Sequence, residues 1–271
     1  LQVSETVVQG FIGTPLSGFL YAIAIYIPFI ANSLGFLVAA VLAASIPAKF
    51  LQDIRNEASK KEKPDFLAEI KFGIGYLYNE KALLRLVLTT ASIGLCYSMS
   101  TSTIVLFILQ ELKLTPSLFG LVLAIQSSGA ILGALAAPKL SSAFGRSRVM
   151  AICIFLSSLV ILLQGLAPNI YVFISLATIA SFTVTNWNIL LMSTYQSVIP
   201  GHLYGRIHGT RRTLVWGLMP FGSLLGGFIA QGGLRLPLLI GGAIATVIAL
   251  LSFRFLLHVG ESAAKEALEN E

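Results

Sequence analysis

Residues able to break bonds are scarce in this sequence and badly spaced to act together. The carboxylates are Glu5, a group from Asp53 to Glu80, Glu111, and a tail group from Glu261 onward. Metal-assisted chemistry needs several carboxylates, or His with Asp, gathered at one point, and nothing in this spacing gathers them. His202 and His208 stand among arginines, and His258 ends an apolar run. Cys96 and Cys153 lie inside apolar runs without metal-ligand spacing, which reads as two buried free thiols. No glycine-rich loop followed by Lys and Ser or Thr offers to hold nucleotide phosphates. The expectation is a chain with no catalytic residue, no metal site and no cofactor, and so not an enzyme.

The side chains that could do chemistry are ones that hold a molecule without altering it. Gln126, Asn186 and Asn188 sit within apolar runs. A primary amide placed in hydrocarbon must find a partner in protein or in a watery cavity. These three either line a path for a small molecule or make interhelical hydrogen bonds worth about 0.6 kcal/mol each. Tyr97, beside the hydroxyl-rich stretch from Ser98 to Thr103, is a further candidate for such a path. The Ser and Thr residues there can bond to their own helix backbone, so they are more often silent. Trp187 and Trp216 supply aromatic walls, interface anchors or packing.

The elements that must position these residues follow from composition. The chain has 271 residues, of which 56% are hydrophobic and 11% charged. Soluble domains carry roughly 25% charged residues, so a soluble globular enzyme and a disordered chain are both excluded. A net charge of +6 does not indicate nucleic acid, because the basic residues fall between apolar blocks rather than along one face.

A membrane-crossing helix needs about 20 apolar residues. That ruler finds eight blocks, near residues 6–25, 28–47, 83–108, 117–138, 147–167, 170–193, 207–231 and 235–257. The expected class is an all-α membrane protein. Sixteen of the 18 Lys and Arg residues lie on one side of the spans, leaving only Lys113 and Arg235 opposite. By the positive-inside bias this places both termini and the long polar stretch in the cytoplasm. The stretch from 48 to 82 contains a helical repeat at Phe66, Ile70, Ile74 and Leu77, which predicts an amphipathic helix over 65–79 lying on the membrane face or packed on protein. It divides the chain into residues 1–47 with two spans, a linker at 48–82, six spans at 83–257 and a tail at 258–271.

Small residues recur four apart at Gly13 and Ser17, Gly129 and Gly133, and Gly222 and Gly226. Such faces let helix backbones approach closely in lipid, although glycine is also simply commoner in membrane helices. Two loops look alike: Phe144-Gly145-Arg146 before the fifth span and Tyr204-Gly205-Arg206 before the seventh, consistent with a three-plus-three repeat.

With those loops, three segments carry a resemblance. They are Leu118-Phe119-Gly120 through Gly129-Ala130-Ile131-Leu132-Gly133, Gln196-Ser197-Val198-Ile199-Pro200 through Ile207, and Pro220-Phe221-Gly222 through Gly227. The chain resembles the major facilitator superfamily, in particular the bacterial efflux branch of enterobactin exporters and macrolide pumps. Gly10-Phe11-Ile12-Gly13-Thr14-Pro15 looks like that family's fifth helix, so the resemblance implies helices five to twelve of a twelve-helix transporter. It implies a complete C-terminal half, two helices of the N-terminal half and four absent helices. The family's loop signature keeps Gly145 and Arg146 here, with Ser142 and Ala143 where it has an acid and a base.

What the resemblance implies is alternating-access efflux of a small amphipathic molecule, such as a drug or siderophore, across the bacterial inner membrane, driven by protons. It implies that the fifth and eighth helices meet, which would make Gly13, Ser17, Gly129 and Gly133 a sliding seam, with Gly222 and Gly226 facing the absent second helix. The loops at Gly145, Arg146, Gly205 and Arg206 would then act as cytoplasmic gates. Partners implied are the lipid bilayer, the substrate, protons and the absent helices, with no nucleic acid. No span buries an acid at mid-depth, so the coupling acid is expected on the absent helices and Glu111 is expected to be solvated and dispensable. The alternative reading is a non-transporting membrane scaffold, or a partner of a separately encoded N-terminal piece.

Overall fold

The computed structural model describes residues 26–45, 66–199 and 203–269, with backbone alone for Pro28, 66–70 and 259–269. The first expected span, with Gly13 and Ser17, lies outside the described residues. The remaining spans are helices: α1 (Ile27–Ala44), α3 (Lys81–Thr101), α4 (Phe119–Phe144), α5 (Arg146–Gly165), α6 (Ile170–Val198), α7 (Tyr204–Ala230) and α8 (Leu236–Glu269). Helix α2 (Phe66–Asn79) occupies the linker. Six helices, α3 to α8, are long and apolar enough to cross a membrane.

Local chemistry sets several helix ends. The Asn169 side chain accepts a hydrogen bond from the Val172 amide at 3.0 Å and caps α6. Gly145 separates α4 from α5 at φ 84, a conformation that costs an L side chain energy. Its twin Gly205 has no positive φ, and a Cβ there would meet open space. The two loops therefore share residues without sharing a backbone requirement. Gly145→Ala is expected to destabilise the protein by about 1 kcal/mol while Gly205→Ala, in the first turn of α7, stabilises it by about 0.4–1 kcal/mol, as read by thermal unfolding in detergent.

The third span does not run as one regular helix. It is interrupted at Ser102 and Thr103, resumes at Ile104–Leu106 and widens into a π turn at Phe107–Glu111. Neither Pro nor Gly marks the break.

Helix α8 packs on α5 and α3, α6 on α4 and α5, and α7 on α3. Two apolar clusters lie toward opposite ends of this bundle. One gathers Leu77, Leu86, Met150, Leu190, Tyr195, Ile207 and Leu256. The other gathers Phe107, Ile161, Phe173 and Leu238, with Phe107 and Phe173 edge to face at 5.8 Å. The outer surface is apolar as well: Leu132 and Leu135 on α4 and Phe221 and Phe228 on α7 are all more than half exposed. A surface of this kind is stable against lipid or further helices and not against water.

Helix α2 appears where the periodicity predicts it. It rests on protein, with Leu77 only 2% exposed and Gly73 against Thr210 of α7. Tyr78, on its other side, is exposed.

The small-residue faces are tight. A Cβ on Gly129 would strike the Thr178 carbonyl, and one on Gly133 would come within 2.6 Å of the Phe182 carbonyl, both on α6. Gly129 and Gly133 thus serve a contact inside the six-helix bundle; the first span, with which the resemblance pairs them, lies outside the described residues. The face of α4 left open carries Leu121, Ile125, Leu132 and Leu135 instead. Gly222 and Gly226 lie against the Leu95 and Met99 carbonyls of α3. In each case the missing Cβ lets one backbone rest on another, the source of helix association in lipid.

Candidate functional site

Between the two apolar clusters the bundle leaves a cavity of about 570 Å³, walled by α3, α5, α6 and α7 with Ala245 of α8. Its position follows from side-chain size along α3, where Gly94 leaves space that the facing helices do not fill. A Cβ on Gly94 would meet only the Val215 methyl, at 3.6 Å. The lining is mixed. Ile93, Ile154 and Leu191 are apolar, Tyr97, Trp187 and Trp216 are aromatic, and Asn188 and Arg211 are polar. Mostly apolar walls with a few placed polar groups are the usual form of a small-molecule site.

Three of the path candidates, Tyr97, Trp187 and Asn188, are brought together here. Trp187 is 4% exposed, so its ring is wall rather than interface anchor. Gln126 lines a second cavity of about 290 Å³ with Gln164 and Thr185, and Tyr97 borders both cavities. Asn186 lines neither of these two cavities. It is fully buried between α4 and α6, where its amide nitrogen donates to the Phe182 carbonyl at 2.9 Å. One helical turn brings that carbonyl within reach of an amide as it would of a hydroxyl.

Several hydroxyls of α3 are silent: Thr90, Ser100 and Thr101 donate to the carbonyls of Leu86, Cys96 and Tyr97 on their own helix. Thr89 instead meets the Ser252 hydroxyl of α8 at 3.2 Å. Ser98 also reaches another helix. It donates to the Met219 carbonyl at 2.7 Å and meets the Ser223 hydroxyl at 2.6 Å, joining α3 to α7 beside the cavity.

Arg211 escapes a reading based on loop charge. The count of basic residues assigns it to a cytoplasmic connection, yet α7 begins at Tyr204 and carries Arg211 two turns inward. Its guanidinium lies 4.4 Å from the Tyr195 ring centre, a cation–π contact. Arg212, next in sequence, sits over Trp216 at the same distance. The helix start, signalled in the sequence by Pro200 four residues earlier, would have placed both.

Of the two Gly-Arg pairs, Arg146 reaches the Ser197 hydroxyl at 3.4 Å, tying α5 to the end of α6. Arg206 lies over the Phe72 ring of α2 at 5.7 Å. Each arginine connects a span to a neighbouring helix.

Glu111 is not simply solvated, as the sequence suggests. Arg235 donates to its carboxylate at 2.7 Å, and also to the carbonyls of Gly165 and Ala167 at 3.1 and 3.0 Å. The arginine, just before α8, ties the end of the third span to the end of α5. The two side chains are about a third exposed, so the ion pair itself is worth at most about 1 kcal/mol. Glu111→Gln is therefore expected to lower the midpoint of thermal unfolding only slightly. Arg235→Ala, which also strands two carbonyls, is expected to cost about 1–3 kcal/mol. Comparing the two unfolding curves in detergent checks the order.

A family model described as transmembrane secretion effector matches residues 6–270. A search of the curated proteins finds no match to the chain.

Proposed function

The chain belongs to the transmembrane secretion effector family of major facilitator transporters, and on that premise we propose that it exports a small amphipathic molecule by alternating access. The observation that carries the reading is the cavity of about 570 Å³ at the meeting of four spans, with tryptophan and isoleucine walls and Asn188 and Arg211 at its margin. Such a lining accepts a molecule with an apolar body and a polar end. Tyr97, Trp187 and Asn188 contact the substrate, and Gln126 lines a continuation of the path beyond Tyr97. The outward direction rests on the family's description as one of secretion.

The moving parts are rigid bodies. The six-helix bundle is one half of a twelve-helix transporter, and its open faces on α4 and α7 suit the helices of the other half. Because no carboxylate lies at mid-depth in α3 to α8, the proton-coupling acid belongs to the other half. The membrane is the bacterial inner membrane, with the loop at 48–82 and the C-terminal tail in the cytoplasm by the distribution of Lys and Arg.

Topology is tested by single cysteines at two exposed positions, Thr115 in the connection before α4 and Ser142 in the last turn of α4. In intact cells an impermeant thiol reagent is expected to label Thr115→Cys and to leave Ser142→Cys unlabelled until the cells are broken. The reverse pattern would invert the orientation. Export itself is tested by accumulation of a fluorescent amphipathic dye in energised cells. Cells making the protein are expected to retain less dye than cells without it, and equal retention would contradict the reading.

A further inference from the structure

Two polar groups of the cavity wall are buried with nothing to bond. Among the described residues, neither Arg211 Nε nor the Tyr195 hydroxyl has a hydrogen-bond partner, and both side chains line the same cavity. Both atoms can donate. A terminal nitrogen of the guanidinium lies 3.4 Å from a ring nitrogen of His208, and the Tyr195 hydroxyl stands beside Thr90 and Arg211. A buried donor left unmet is costly, and more so when it is charged.

The counter-charge is not within the bundle. From Lys81 to Gly260 the sequence holds a single carboxylate, Glu111, and Arg235 already occupies it at the far end of the third span. Arg211 is thus a fixed cation at the edge of an aromatic-walled cavity, with no carboxylate partner among the described residues. That combination fits an anionic oxygen. The aromatic faces of Trp187 and Trp216 fit a flat apolar body.

We propose that the transported molecule carries an acidic group, a carboxylate or a group of like charge and shape, which pairs with the Arg211 guanidinium, held in place by Tyr195, while its apolar body lies against Trp187. The assignment rests on the cavity being the substrate site. An amphipathic cation is disfavoured there by Arg211, and a neutral molecule leaves the charge of Arg211 uncompensated. Tyr195 also orients the guanidinium through ring contact, so the pair acts as one acceptor-binding unit.

The test uses the natural protein in lipid nanodiscs and a matched pair of probes, dansyl-glycine and dansyl-glycinamide, which differ only in the charge of the terminal group. Energy transfer from tryptophan to the dansyl group reports binding. The carboxylate is expected to bind about tenfold or more tightly than the amide. Arg211→Gln is expected to remove that preference while amide binding persists, which also shows that the variant is folded, and Tyr195→Phe to reduce it in part. Equal affinity for both probes in the wild type, or a preference that survives Arg211→Gln, would overturn the acidic-substrate assignment and leave the cavity reading standing. Failure of both probes to bind would overturn both. Repeating the titration in zwitterionic and anionic lipid separates a soluble substrate from a lipid headgroup. Comparable carboxylate affinity in the two supports a soluble acid, whereas loss confined to anionic lipid would place a headgroup on Arg211 and contradict the proposal.

Discussion

Gly94→Trp is expected to abolish transport while leaving a folded protein. The substitution adds a large side chain where a Cβ meets only one methyl group, at 3.6 Å, and directs it into the space that we assign to the substrate. Because the space is empty of protein, filling it costs little packing energy; burial of the indole among Ile93, Trp187 and Val215 offsets what strain there is. Dye export is expected to fall at least about tenfold, which corresponds to about 1.4 kcal/mol of lost substrate or transition-state binding. Yield, elution as a single species and thermal unfolding should match wild type. Export at the wild-type rate by a well-folded variant would remove this cavity from the path.

Gly129→Leu and Gly222→Leu are expected to do the opposite. Their missing Cβ atoms rest on backbone carbonyls, those of Thr178 and Leu95, and backbone cannot rotate away as a side chain can. Each change forces two helices apart along several turns, at a cost of about 3 kcal/mol or more. A membrane protein of ordinary stability would lose most of its folded yield. Gly227→Leu is the control: it lies one residue beyond Gly226 on the same helix, yet a Cβ there meets nothing within 4 Å. Normal yield for Gly227→Leu with loss for Gly222→Leu would show that contact, and not glycine composition, sets the requirement. Were this face the sliding seam that the resemblance implies, the change would block sliding between halves and leave expression intact. Contact with α6 predicts loss of the fold instead.

The spans were legible because apolar windows of membrane length have little other use in a chain with so few charges. Their ends were less so: α7 begins at Tyr204, ahead of the apolar block near 207, because Arg206, Arg211 and Arg212 dilute the hydropathy of its first turns without opposing helix formation. That dilution hid the cavity cation among loop charges. The glycine faces could be read as close contacts, but not their partners, since a backbone carbonyl at Thr178 or Leu95 leaves no mark on the sequence. The break at Ser102 and Thr103 was equally hidden, having neither Pro nor Gly to announce it. Of the candidate path residues, Tyr97, Trp187 and Asn188 share the main cavity, whereas Asn186 does not. Asn186 and Asn188 are two residues apart on one helix and so face about 200° apart around it. An amide inside a span signals that a partner exists, and the neighbouring helices decide whether it is a substrate or a carbonyl.

The measurement that bears most directly on the proposed function is substrate movement into inverted membrane vesicles. Vesicles from cells making the natural protein would be energised, and uptake of a fluorescent amphipathic acid followed with time. An exporter turned inside out imports, so uptake is expected to exceed that of vesicles lacking the protein, to collapse when the proton gradient is dissipated, and to be absent with Gly94→Trp. Uptake that is the same in wild-type, Gly94→Trp and protein-free vesicles, with the protein shown to be inserted and folded, would contradict transport through this cavity and favour a membrane scaffold.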